Sequence, residues 1–159
     1  MSENYPKKIS SKKFPEKQLS LIINKDDKAL FYGEFEGCKL YLANTSRKKI
    51  ILNASNSRLN ILLQAMDEKG DWQYIEYAPS SWCGNSYHNL YLDSGEYWDF
   101  TIPIYEGSIK TKIRAVLSYY KNKKEIFVYS NIIEGSVNPA QFFNKRPYRS
   151  NGIMDPYNE

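Results

Sequence analysis

Between about Leu19 and Ile133 the chain is a series of short apolar runs broken by turn residues, and in most runs every second residue is apolar. Leu59, Ile61, Leu63 and Ala65 alternate with Asn60, Leu62 and Gln64. Ile113, Ala115, Leu117 and Tyr119 alternate with Lys112, Arg114, Val116 and Ser118, and Trp98, Phe100 and Ile102 with Tyr97, Asp99 and Thr101. A period of two sets one group of side chains on a single face of a strand. Many such strands at close spacing predict a β-sandwich or barrel.

The turn residues divide this region into about ten strands, mostly in hairpins, which favours antiparallel pairing. Gln18–Asn24 and Ala29–Phe35 flank Lys25-Asp26-Asp27-Lys28 as a predicted hairpin. Cys38–Ala43, Lys48–Asn53, Arg58–Met66, Trp72–Tyr77, Tyr87–Leu92, Tyr97–Pro103, Lys110–Tyr120 and Glu125–Ile132 follow. Leu59, Leu62, Leu63 and Met66 also fit helical spacing, with Ser57 placed to cap the helix. The hairpin-like Asp67-Glu68-Lys69-Gly70 before Trp72 favours a strand there.

A chain of 159 residues suits one domain and needs no metal or disulfide to fold. Residues 18–135 form the predicted sandwich. Residues 1–17 form a basic lead-in with Lys7, Lys8, Lys12, Lys13 and Lys17, expected to be solvated and partly disordered. Residues 136–159 form a tail without alternation, which Phe142, Phe143 and Tyr148 could lay over the sandwich. No apolar run approaches the roughly 18 residues of a spanning helix. No signal peptide is visible either, so a cytoplasmic protein is expected, or a secreted or periplasmic one if a leader has been removed.

The net charge of +4 leaves no clear nucleic-acid footprint. One histidine and two separated cysteines cannot close a zinc site of the usual ligand count, and no phosphate loop or serine elbow is present. No cofactor, metal or catalytic residue is therefore expected. The carboxylates of Asp67, Glu68 and Asp71 are read as turn residues rather than a calcium site. Cys38 alternates with Leu40 and Leu42 and is expected in the core, whereas Cys83 lies in a polar stretch; a disulfide between the two is one pairing the count allows. Ser80 to His88 gathers Trp82, Cys83, Asn85, Tyr87 and His88. A cysteine-dependent enzyme centred on Cys83 is a weaker reading, because an extended chain would hold Cys83 and His88 roughly 15 Å apart.

The aromatic residues point to binding. Tyr41, Tyr91 and Tyr97 fall opposite the inner faces of their strands, and Lys110, Lys112 and Arg114 share an outward face. Tyrosine among basic residues supplies contact area at low entropy cost. Trp82, Asn85, Tyr87, His88, Tyr41, Tyr91, Tyr97, Lys112 and Arg114 are thus the candidate contact residues. Another protein is the expected partner, with a glycan on the same aromatics as the rival. Asn44-Thr45-Ser46 and Asn53-Ala54-Ser55 also match the glycosylation acceptor pattern.

Read in order, Leu40-Tyr41-Leu42-Ala43-Asn44-Thr45-Ser46, the Asp-Glu-Lys-Gly-Asp-Trp hairpin, Leu92-Asp93-Ser94-Gly95-Glu96, and Gly107 before Thr111 to Leu117 resemble small bacterial immunoglobulin-like domains. The segment from Trp82 to His88, with Lys110 to Arg114, is similar to uncharacterised single-domain proteins of Bacteroidetes-type bacteria. The resemblance covers roughly Cys38 to Phe142. It implies an antiparallel immunoglobulin-like β-sandwich and carries no catalytic residues.

Overall fold

A computed structural model describes residues 4–11, 13–76 and 86–143. It is an all-β sandwich of two antiparallel sheets. The strands are β1 (Lys7–Lys8), β2 (Leu19–Phe31), β3 (Phe35–Asn44), β4 (Ile50–Ser55), β5 (Arg58–Met66), β6 (Trp72–Tyr74), β7 (Tyr87–Leu92), β8 (Glu96–Pro103), β9 (Ile109–Lys121), β10 (Lys124–Tyr129) and β11 (Ile133–Val137), followed by the single-turn helix α1 (Ala140–Phe143). The smaller sheet runs β1-β8-β3-β2; the larger runs β10-β9-β5-β4-β7, with β11 beside β9 and β6 beside β5. No helix among the described residues is long and apolar enough to cross a membrane.

The alternating residues fill the space between the sheets. Leu21, Ile23, Leu40, Leu42, Trp98 and Ile102 from one side meet Leu52, Leu63, Ala65, Ile113, Ala115 and Leu117 from the other. The segment that also fits helical spacing is a strand, β5, because Leu59, Ile61, Leu63 and Ala65 all turn inward against this core. Two-residue turns close two of the hairpins. Asn56 and Ser57 (φ 49° and 61°) join β4 to β5, and Asn122 and Lys123 (φ 52° and 62°) join β9 to β10. Positive φ at both central positions gives the backbone twist that paired strands need.

The predicted hairpin at Lys25-Asp26-Asp27-Lys28 is instead a bulge. β2 runs through it as one strand, and its register against β3 slips between Asn24 and Lys28. Asn24 Oδ1 accepts the Asp26 N–H at 3.2 Å, and the Tyr41 hydroxyl donates to Asp27 Oδ2, so the extra residues are held locally. The turn lies later, at Tyr32 and Gly33, both at positive φ. On the far side of the bulge, the Asn131 amide brackets Ile23, accepting its N–H at 2.8 Å and donating to its carbonyl at 3.0 Å. That contact joins the edge of the smaller sheet to the larger one.

The described parts of both flanking segments carry regular structure, and Tyr148 lies outside the described residues. Residues 4–11 and 13–18 do not trail into solvent. β1 pairs with β8, the Ile9 N–H donates to Gly95 O at 2.9 Å, and the Thr45 hydroxyl donates to Pro15 O at 2.5 Å. The chain also continues past Gly135 as β11, whose Val137 is fully buried, and Phe142 packs on the core while Phe143 is exposed. Gly107 permits this closure: a Cβ there would stand 2.1 Å from the Val137 carbonyl, and the Gly107 N–H donates to Ser136 Oγ at 3.0 Å.

Candidate functional site

The two outer faces of the sandwich carry aromatic residues for the same reason: alternation sends every second strand residue away from the core. On the smaller sheet, Tyr41 of β3 and Tyr97 of β8 sit beside each other, with ring centroids 6.0 Å apart. Phe14 of the N-terminal segment lies 6.1 Å from the first and 5.6 Å from the second. Tyr41 retains only 5% exposure and Tyr97 is half-buried. Their expected role as free contact residues therefore does not fit their position, because the chain's own N-terminus covers them.

Charge fastens that cover. Asp99 Oδ2 accepts from Lys7 Nζ, and Lys39 Nζ stands 3.4 Å from Asp99 Oδ1. Lys8 Nζ lies 2.8 Å from Glu96 Oε1. Burial pushes the Asp99 pKa up, but the hydrogen bond from Lys7 and the charge of Lys39 outweigh it and hold the carboxyl below its usual range. The hydrogen bond from Lys8 lowers Glu96 likewise.

The outer face of the larger sheet is different. Its strands stack three cross-strand rows: Tyr74–Gln64–Arg114, then Leu62–Val116–Tyr129, then Asn60–Ser118–Phe127. Val116 is buried and Leu62 half-buried, so they form an apolar floor. Tyr74, Phe127 and Tyr129 rise around it at 40%, 44% and 50% exposure. Arg114 stands in the middle, its guanidinium 4.2 Å from the Trp72 ring and 4.2 Å from the Tyr129 ring. Its Nε–H donates to Gln64 Oε1 at 2.8 Å, and Tyr74 stands opposite Gln64 on β6. Burial, with Tyr129 and Glu125 nearby, raises the Tyr74 pKa, so that hydroxyl stays protonated.

Trp72, Tyr74, Phe127 and Tyr129 were not among the sequence candidates. They sit in pairs on two short strands, β6 and β10, and the cluster exists only because β6, β5, β9 and β10 are neighbours. The alternation of Phe127 and Tyr129 with Ile126 and Val128 was the available signal for half of it.

The remaining candidates are scattered. Lys112 is exposed on β9, with Glu134 opposite it on β11. Tyr87 and Tyr91, 61% and 53% exposed, lie on β7 at the far end of the same sheet, with Lys49 Nζ 5.7 Å from the Tyr91 ring. His88 is exposed, its Nδ1 3.1 Å from Ser86 O. Trp82, Cys83 and Asn85 lie outside the described residues.

Cys38 is a fully buried free thiol, and burial pushes its pKa up, opposite to what a nucleophile needs. Asp67 binds the N–H groups of Lys69 and Asp71, both at 2.9 Å, so its carboxylate shapes the β5–β6 turn. Among the described residues no group of three or more His, Cys, Asp and Glu is placed to hold a metal ion. Asn44 is fully buried, its Nδ2 donating to Lys48 O at 2.8 Å and to Leu92 O at 2.9 Å, so in the folded chain it is a structural clamp rather than a glycan acceptor. No protein-family model matches the chain, and no curated protein matches it in sequence.

Proposed function

We propose that this chain is an immunoglobulin-like, non-catalytic recognition module that binds another protein through the outer face of its larger sheet. The order of strand pairing supports the fold assignment. β2, β3 and β8 pair in the order A-B-E, and β5, β9 and β10 in the order C-F-G, as in immunoglobulin sandwiches. The exposed cluster of Tyr74, Phe127 and Tyr129 around Arg114 carries the functional reading. Aromatic residues and arginine over an apolar floor are the composition of interface hot spots.

A photo-crosslinking residue at position 127 tests this reading, with one at position 143 as an exposed control outside the cluster. A discrete protein adduct from 127 alone, abolished by Tyr129→Ala, is the expected result. Equal labelling from both positions, or saturable binding on a glycan array with no protein adduct, would overturn it.

A further inference from the structure

Arg114 is positioned by three neighbours yet left without an acid. Its guanidinium carbon lies 4.2 Å from the ring centroids of both Trp72 and Tyr129, and Gln64 takes Nε–H. No carboxylate pairs with it among the described residues, and its terminal Nη groups make no hydrogen bond there. A planar fork clamped by two rings has little rotamer freedom left to lose, and its free edge matches a carboxylate in bidentate geometry. Tyr74 belongs to the same cross-strand row. Glu134 lies across from Lys112 in the β9–β11 register rather than from Arg114, and Glu125, close to Tyr74, makes no ion pair with Arg114.

Resting on the recognition role given above, we infer that the partner presents an acidic peptide segment, with an Asp or Glu carboxylate seated on the Arg114 fork and flanking apolar side chains on Leu62 and Phe127. Charge complementarity and the apolar floor select this occupant. Trp72 also supplies a built-in reporter, since a ligand on the fork changes the surroundings of its indole.

The test uses blocked heptapeptides with one central Asp or Glu flanked by Leu and Phe, and the same peptides with Asn or Gln. They are titrated into the full chain and followed by tryptophan fluorescence and by ¹H–¹⁵N spectra of the Trp72 indole. The acidic peptides should bind at least about tenfold more tightly than their amides, as a charge-assisted bidentate contact implies. Added salt should narrow that gap. Arg114→Lys keeps the charge but loses the fork, and should remove most of the preference while the thermal melt stays intact; Phe127→Ser should weaken acidic and amide peptides alike. Equal binding of acid and amide, unchanged by Arg114→Lys, would overturn the carboxylate assignment and leave the recognition face standing. Failure of every peptide to bind at its solubility limit would overturn both.

Discussion

The outer faces of the two sheets begin from similar sequence and end in opposite states. On the smaller sheet, Tyr41 and Tyr97 are roofed by Phe14, and Lys7 and Lys8 pin the covering segment to Asp99 and Glu96. On the larger sheet, Tyr74, Tyr129 and Phe127 are exposed, and a cation rather than an apolar side chain is inserted among them. The roofed face gains burial and so contributes to folding. The open face keeps apolar surface in water and holds an arginine that pairs with no acid among the described residues, which contributes little to folding.

The largest contrast should come from removing one aromatic ring on each face. Phe14→Ala strips the roof from Tyr41 and Tyr97 and should cost about 2 kcal/mol, less than a fully buried phenylalanine because Phe14 is only half-buried. Phe127→Ala should cost less than about 1 kcal/mol, as expected at an exposed site. Urea denaturation of both variants checks the pair; equal costs would erase the distinction between the faces.

A smaller effect is expected from Arg114→Ala. Losing two stacking contacts should lower stability by roughly 1 kcal/mol in total. A much greater loss in the thermal melt would make Arg114 a structural strut rather than a binding group.

Smallest of all is the ionic fastening of the roof. Asp99→Asn should cost roughly 0.5 kcal/mol, falling further in high salt, because Lys7 is half exposed. The pH dependence follows in sign. The folded pKa of Asp99 and Glu96 is depressed, so their contribution is complete above the ordinary carboxylate range, near pH 4, and is lost as pH falls through the lower folded values. Lys7 is raised, chiefly by its hydrogen bond to Asp99, so its share persists below pH 10.5 and is lost only above that. Hydrogen exchange at the Ile9 amide, which bonds Gly95 O, should therefore stay protected down to about pH 4. Loss of protection near neutrality would show that these ion pairs do not hold the segment.

Much of the fold was legible in the sequence because its signal is local. β5 and β7 have the bounds that alternation predicts, and the turns before Trp72 and after Leu92 fall where Gly70 and Gly95 take positive φ. Failures came where local and distant chemistry compete. Four consecutive polar residues at Lys25–Lys28 look like a turn, yet pairing with β3 carries the strand through them, and Gly33 inside a predicted strand marked the true turn. The candidate site was legible only in part. Alternation identifies which side of a strand Tyr41 or Arg114 occupies, but not what lies over it. Phe14 over Tyr41, and Trp72 and Tyr129 against Arg114, are contacts between segments far apart in sequence.

Tyrosine nitration of the native chain, read residue by residue by mass spectrometry, tests the difference between the faces most directly. Tyr129 and Tyr74 should be modified promptly and Tyr41 and Tyr97 only once the protein unfolds. Nitration of Tyr41 as fast as Tyr129 in the folded chain would contradict it.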